Sequence, residues 1–365
     1  MSHELTLRVI TREEHRAWAS TRTMSFLQLP DWADVKPDWT AQSVGWFDGG
    51  GQLVGAGLVL YRWIPRLNKA LAYLPEGPVI DWLDTWGIER WLKPLILHTK
   101  QHGAFLLKIG APVKVREWHN DTLKNASGKR LRDVAPDKEY SGALQLRTWL
   151  LKHGWKQREA EAGFGDVQPR YVFQLDLLAQ TEATLLDGFN QLWRRNLKKA
   201  DKSGVRVRIG THADLPGFHE VYVETAKRDG FTPRPLAYFE RMWNALGDHL
   251  RLYVAEIDGR VAASTIWVRV GSHVWYSYGA STTADRDARP SNAIQWQMMR
   301  DALAAGASVY DLRGISDTLD ENDPLFGLLR FKLGTGGKAV EYLGEFDYPI
   351  QPLLARIFDL YLRRR

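Results

Sequence analysis

The sequence predicts an α/β (α+β) protein made from two copies of one unit, each running helix, hairpin, strand, helix and strand. Three landmarks recurring in one order predict it. Val44–Ala56 and Val254–Ala263 both read as strand, Asp-Gly turn and strand, with Asp48 and Asp258 210 residues apart. Gly103 and Gly306, each opening the last strand of its copy, are 203 apart, and Phe26 and Phe231, each opening a short helix, are 205 apart. The alternative is two unrelated α/β pieces with coincidental Asp-Gly turns.

The elements follow in order. Phe26-Leu-Gln-Leu-Pro-Asp-Trp32 opens a short helix, and Asp48-Gly between apolar runs is a hairpin signal. A strand ending at Tyr73, a helix from Asp84 to His102 and a strand from Gly103 to Ile109 complete the first copy. In the second, Phe231–Tyr238 opens a helix and Asp258-Gly259 turns the hairpin. The strand Val274–Tyr278, a helix from Ser291 to Ala305 and the strand Gly306–Leu312 follow. Between the copies, Asp187–Lys202 has a helical period, with Phe189, Leu192, Trp193, Leu197 and Ala200 on one side. Gly204 ends that helix, and Val205–Ile209 alternates as a strand. At the C-terminus Ile350, Leu353, Leu354, Ile357, Phe358 and Tyr361 form a stripe before Arg363–Arg365. Docking of a terminal helix on the core is the plain reading, and an interfacial helix with arginines near anionic headgroups is the sharper one. The expected domains are 1–165, completed by 341–365, and 166–340.

Composition narrows the chemistry. With 365 residues, 44% hydrophobic and 25% charged, the chain is a folded protein of two-domain length. It has no cysteine, which excludes disulfides, thiolate metal sites and a cysteine nucleophile; no metal site is expected. Sixteen tryptophans serve as core filler, as stacking platforms or as membrane-interface anchors. Met1–Ser20 is interrupted by Glu4, Arg8, Arg12, Glu13, Glu14 and Arg16, so no secretory signal is expected there. No run approaches the roughly 20 apolar residues of a spanning helix. A cytoplasmic protein is expected, soluble or peripheral to the inner membrane face.

The order of elements resembles the acyltransferase fold typified by GCN5-related N-acetyltransferases, which runs hairpin, central strand, helix, strand. Such enzymes hold coenzyme A pyrophosphate on a glycine-bearing loop at a helix N-terminus. Neither Gly279–Asn292 nor Leu74–Asp81 matches that loop, so coenzyme A is not expected. Gly334-Thr-Gly-Gly-Lys338 is not a Walker A loop, since Ala339 stands where Ser or Thr would hold magnesium.

The net charge of +6 matters by its distribution. Arg194, Arg195, Lys198, Lys199, Lys202, Arg206 and Arg208 lie within fifteen residues, with only Asp201 to offset them. Such a patch fits a phosphate-rich ligand, a nucleic-acid backbone or a nucleotide diphosphate, against the alternative of a merely solvated face.

Phe26–Lys36, Asn196–Gly204, Arg228-Asp-Gly-Phe231, Tyr310-Asp-Leu-Arg-Gly314 and Gly327-Leu-Leu-Arg-Phe331-Lys332-Leu-Gly334 together resemble the Fem (FemABX) family of nonribosomal peptidyltransferases. The resemblance spans Phe26 to Tyr348 and is to the armless, FemX-like members, because Gly204 runs directly into a strand. It implies two acetyltransferase-like domains without a coiled-coil arm. It also implies transfer of an amino acid from aminoacyl-tRNA to the side-chain amine of a peptidoglycan precursor, building the interpeptide bridge. By that resemblance Lys332 is the catalytic cation at the oxyanion, and Lys36, Arg234, Tyr238 and Tyr278 bind the acceptor, with Tyr276 competing for the last place. Arg234 and Tyr238, four apart, are expected on one helical face. Gly110 stands where relatives often carry an acidic residue, which leaves the base unassigned. The basic patch is expected to contact tRNA through Arg194, Arg195, Lys198, Lys199 and Lys202. Two other readings stay open: a small-molecule N-acyltransferase with a non-tRNA donor, and a catalytically idle polyanion-binding protein.

Overall fold

Both Asp-Gly turns form hairpins, and around each a similar six-stranded sheet assembles. The computed structural model describes residues 4–157 and 168–362. In chain order the first elements are β1 (Thr6–Val9), α1 (Arg12–Ala19), α2 (Trp32–Val35), β2 (Thr40–Phe47), β3 (Leu53–Ile64), β4 (Lys69–Leu74) and α3 (Glu89–Gln101). There follow β5 (Ala104–His119), α4 (Asn120–Lys124), β6 (Lys138–Glu139), α5 (Ser141–Lys152), β7 (Lys156–Gln157), β8 (Tyr171–Asp176), α6 (Glu182–Gly188) and α7 (Gln191–Lys202). The rest are β9 (Arg206–Ile209), α8 (Leu215–Asp229), α9 (Leu236–Leu246), β10 (Leu250–Ile257), β11 (Arg260–Val270), β12 (His273–Ser281), α10 (Pro290–Ala304), β13 (Val309–Gly314), α11 (Phe326–Leu333), β14 (Lys338–Tyr348) and α12 (Pro352–Leu362).

The chain divides into two units, one of 1–117, 136–170 and 340–365, the other of 118–135 and 171–339. In the first, the strand order is β1-β2-β3-β4-β5-β14. In the second it is β9-β10-β11-β12-β13-β8. Within each, the first four strands run antiparallel and the fourth and fifth, joined by a helix, pair parallel. This is the arrangement demanded when a hairpin is followed by a strand–helix–strand crossover. The sixth strand of each sheet comes from elsewhere in the chain. The second hairpin turns on Asp258 and Gly259 with φ of 50° and 74°, the left-handed pair that matches strand twist.

The structure shifts several sequence-based boundaries: the helix expected from Asp187 starts at Gln191 and the strand expected from Gly306 starts at Val309. The helix expected from Asp84 begins at Glu89, because Gly87 sits at φ 97° and breaks the period. Asp84 instead accepts hydrogen bonds from the Trp86 amide (2.9 Å) and the Trp91 indole (2.7 Å). The segment Trp118–Ala135, assigned by sequence to the first domain, packs in the second unit. Its fully buried Trp118 donates to the Val134 carbonyl and joins the core of Leu123, Leu131, Tyr171 and Phe173. The boundary expected at residue 165 lies outside the described residues.

The C-terminal helix docks only in part. The Gln351 amide donates to the Phe105 carbonyl, and Phe358 meets Phe105 edge-on at 5.3 Å. Leu353 and Ile357, expected in the same buried stripe, are exposed. Tyr361's side chain and Arg363–Arg365 lie outside the described residues. No helix among the described residues is long and apolar enough to cross a membrane.

Candidate active site

Lys332 lies near the end of α11 and is 2% exposed. Its Nζ donates to the carbonyls of Gly314 (2.6 Å) and Arg313 (3.3 Å), at the end of β13. There the β13–β8 register breaks between Asp311 and Gly314, and Arg313 adopts φ 62°. That left-handed turn aims carbonyls at the lysine that a regular strand would commit to its ladder. Asp311, 1% exposed, accepts from the Arg313 amide (2.6 Å) and from Gln174 Nε2 (2.9 Å), with His273 Nε2 3.4 Å away.

The electrostatics follow from burial. Loss of water pushes the Lys332 ammonium down to about 7, with Asp311 opposing and Arg313 adding to the shift. Burial raises the Asp311 carboxyl, but His273, Arg313 and Gln174 together outweigh it and hold it below its ordinary range. Near neutrality Lys332 is therefore poised between charged and neutral forms. An ammonium has three donors; the two carbonyls take two, and one remains for a reacting oxygen.

The Phe-Lys-x-Gly stretch also anchors the basic helix. The Trp193 indole of α7 donates to the Phe331 carbonyl (2.7 Å) and packs on the Phe331 ring at 4.9 Å. A Cβ on Gly334 would collide with Trp193 Cδ1, so glycine is required there. Asn190 caps α7 by accepting from the Trp193 amide, a contact worth about 1 kcal/mol, and its own amide donates to the Gly334 carbonyl. Along α7, Arg194, Arg195, Lys198, Lys199 and Lys202 are exposed, as expected. So, against expectation, is Leu192, while Phe189 is buried just ahead of the helix. Arg208 leaves the patch: it is tied to Asp214 (2.7 Å) and Glu256 (2.8 Å). Arg194 is partly engaged with the Asp187 carbonyl.

Tyr238 and Tyr278 meet hydroxyl to hydroxyl at 3.1 Å, inside an aromatic group with Tyr222 and Phe239. Burial, reinforced by Tyr278, holds the Tyr238 hydroxyl well above the usual phenol range, so it stays a donor. Tyr276, the competitor, packs against the core of the second unit, which leaves Tyr278 as the tyrosine joined to Tyr238. Arg234 is not on α9 as expected; Pro235 caps the helix and Arg234 precedes it. Its guanidinium still lies 5.4 Å from the Tyr238 ring centroid, within cation–π range. In the first unit Lys36 closes α2 with its Nζ 5.3 Å from the Trp32 ring.

Gly110, where the resemblance implies an acidic residue in other members, has no room for a side chain. A Cβ there would lie 2.7 Å from the Glu76 amide nitrogen, and the Gly110 amide donates to Gly77. The backbone of Glu76, at φ 47°, fills that space, and the Glu76 carboxylate accepts from Ser25 Oγ at 2.6 Å. Sequence reasoning missed Glu76, Asp311, Gln174 and His273. One signal was available: Lys108 and Asp311 are 203 apart, the spacing of Gly103 and Gly306, so both copies carry a charge at the corresponding place. In the first unit Lys108 is buried against Asp347 (2.6 Å) and Glu345 (3.7 Å).

The model of the FemAB family matches residues 10–261 and 259–362, nearly the whole chain. The chain belongs to the FemAB family. Similar relatives include the UDP-N-acetylmuramoylpentapeptide-lysine N(6)-alanyltransferase of Weissella viridescens, 29% identical over 329 residues covering 88% of each chain. The lipid II:glycine glycyltransferase of Staphylococcus epidermidis is 24% identical over 417 residues, covering 94% of this chain and 93% of the relative. Among solved structures, FemX superposes with a TM-score of 0.80 at 24% identity, covering 96% of this chain and 99% of that one. A tandem GNAT protein from the clavulanic acid pathway reaches 0.53 at 12% identity, covering 96% and 99%. The duplicated acetyltransferase-like architecture read from the sequence is thus the FemAB architecture, and α7 ends at Lys202 without the helical hairpin of a coiled-coil arm.

The buried lysine has a consequence for stability. Because its folded pKa of about 7 lies below the 10.5 of an exposed lysine, the unfolded chain binds the extra proton between those values. That cost to the fold is complete below about pH 7 and is relieved as pH rises toward 10.5. Lys332→Met removes it, so the Tm of the variant relative to the parent is expected to be higher at pH 7 than at pH 10. A pH-independent difference in thermal denaturation would contradict the assignment.

Proposed function

We propose that this FemAB-family protein is an aminoacyltransferase that moves an amino acid from aminoacyl-tRNA to the side-chain amine of a peptidoglycan precursor, forming an interpeptide bridge. The observation that carries the reading is the alanyltransferase relative, whose alignment covers 88% of both chains. The neutral amine attacks the ester carbonyl, a tetrahedral oxyanion forms, and its collapse expels the tRNA ribose hydroxyl. Lys332 offers its remaining N–H to that oxyanion from a site where low polarity strengthens the contact. Lys36, Arg234, Tyr238 and Tyr278 hold the phosphates and polar groups of the acceptor. The proton lost by the attacking amine passes to the departing ribose oxygen, directly or by way of a carboxylate of the substrate, within a positioned and already activated ester.

The basic face of α7 receives the tRNA backbone in this reading, and the shared Trp193–Phe331 anchor ties that helix to the Lys332 segment. No coenzyme A is invoked. Of the two helices that follow the parallel-paired central strands, α10 begins with Pro290, which lacks a donor N–H, and α3 begins with Glu89; neither start favours a pyrophosphate. Charged tRNA and precursor place the reaction in the cytoplasm.

The test is transfer of a labelled amino acid from charged tRNA to nucleotide-linked or lipid-linked muropeptide. Transfer that requires charged tRNA is expected, and its absence with precursor binding intact would overturn the reading. Lys332→Met is expected to lower turnover by about 10²–10³-fold with precursor binding unchanged. Because the protonated lysine is the active form, the parent-to-variant rate ratio should fall as pH rises through about 7. A ratio flat in pH would remove Lys332 from the oxyanion. Charge reversal of Arg195, Lys198 and Lys202 should raise KM for charged tRNA and flatten its salt dependence, while KM for the precursor stays put.

A further inference from the structure

The C-terminal helix leaves a narrow apolar face uncovered. Leu353, Ile357 and Leu360 are 75%, 54% and 52% exposed. At 100° per residue they fall within an arc of about 60°, with the exposed Arg356 beside it. The opposite side is the docked one, carrying Phe358 against Phe105. Core packing therefore does not explain these three residues.

A second exposed apolar element sits at the same end of the first unit. The end of β3 and the turn after it present Trp63 and Leu67 to solvent, with Arg66 exposed in the same turn. The Ala70 amide, just past this turn, donates to the Gly103 carbonyl, and the Gln351 amide, just ahead of α12, donates to the Phe105 carbonyl. Turn and helix are thus both tied to the start of β5, one to Gly103 just ahead of it and the other to Phe105 within it. The sequence continues past Leu362 with Arg363-Arg364-Arg365. Leucine, isoleucine and an indole bordered by arginines match a surface that is apolar just beneath a layer of negative charge.

We propose that this face, α12 with the Trp63–Leu67 turn, docks on an anionic lipid bilayer. The leucines and isoleucine enter the boundary of headgroups and acyl chains, Trp63 lies at headgroup depth, and Arg66 and Arg356 meet the lipid phosphates. The charge selects the occupant: a second copy of this chain would bring the same arginines into opposition across the interface. The proposal does not rest on the transferase reading, since the bilayer needs to contain no precursor.

The test is co-sedimentation of the full chain with phosphatidylcholine vesicles, with and without phosphatidylglycerol. Binding is expected to the phosphatidylglycerol vesicles, to weaken with salt, and to drop by roughly tenfold or more in the triple variant Leu353→Ser, Ile357→Ser, Leu360→Ser. These side chains are exposed, so the variant should keep the parent's thermal unfolding and its transfer to a nucleotide-linked, soluble acceptor. Equal sedimentation of parent and variant, equal binding to neutral vesicles, or no binding at all would overturn the proposal. So would a concentration-dependent dimer that the triple variant abolishes in the absence of vesicles, which would assign the face to a second copy. Loss of transfer by the parent with vesicle binding retained would sink the transferase reading alone.

Discussion

The second unit is organised around a lysine ammonium held out of water. An unpaired buried ammonium costs several kcal/mol, so Lys332 persists only because the end of β13 is bent toward it. Arg313 takes a left-handed turn and Asp311 holds that turn by accepting from its amide. Gln174, from the neighbouring strand, and His273, from β12, hold Asp311 in turn. The same segment fixes α7 through Trp193, so a cation suited to an oxyanion and a helix suited to a polyanion share one support. Stability is given up at Lys332, and what the proposed reaction gains is a hydrogen-bond donor in a site of low polarity.

The duplication shows how one scaffold comes to hold opposite charges. At corresponding places, past the point where the fourth and fifth strands begin to pair, the first unit carries Lys108 and the second Asp311. Each is buried, and each is answered by the sixth strand of its own sheet: Glu345 and Asp347 from β14, Gln174 from β8. The lysine of the first unit is neutralised by carboxylates, whereas the aspartate of the second stands near a lysine it does not fully neutralise. The buried cation of the first unit faces two carboxylates, whereas that of the second donates to backbone carbonyls.

Much of this was legible in the chain. Asp48-Gly and Asp258-Gly259 announced the hairpins, although only the second pair is left-handed and the first loop puts Gly51 in that conformation instead. The periodicity of 187–202 located α7, although the helix starts at Gln191 and of the expected face Trp193 and Ala200 are buried while Leu192 is exposed. What stayed hidden depends on partners distant in sequence. No local pattern says that β8 and β14 complete the two sheets, that Trp118–Ala135 joins the second unit, or that Asp214 and Glu256 take Arg208 out of the basic patch. Lys332 was found through its motif, but its full burial arises from the bend at Arg313, which nothing in the residue order requires. Glu76 was missed for a similar reason: its place beside Gly110 is set by a backbone conformation, not by a spacing.

The central claim, that burial and the Asp311 network poise Lys332 near neutrality, is tested most directly by titrating that side chain itself. Heteronuclear NMR of isotopically labelled lysine, assigned by Lys332→Met, should show one ammonium titrating near pH 7. In Asp311→Asn, which removes the charge that favours protonation, that value should move lower still. Titration of Lys332 near the 10.5 of an exposed lysine, or no movement on removing Asp311, would contradict the account.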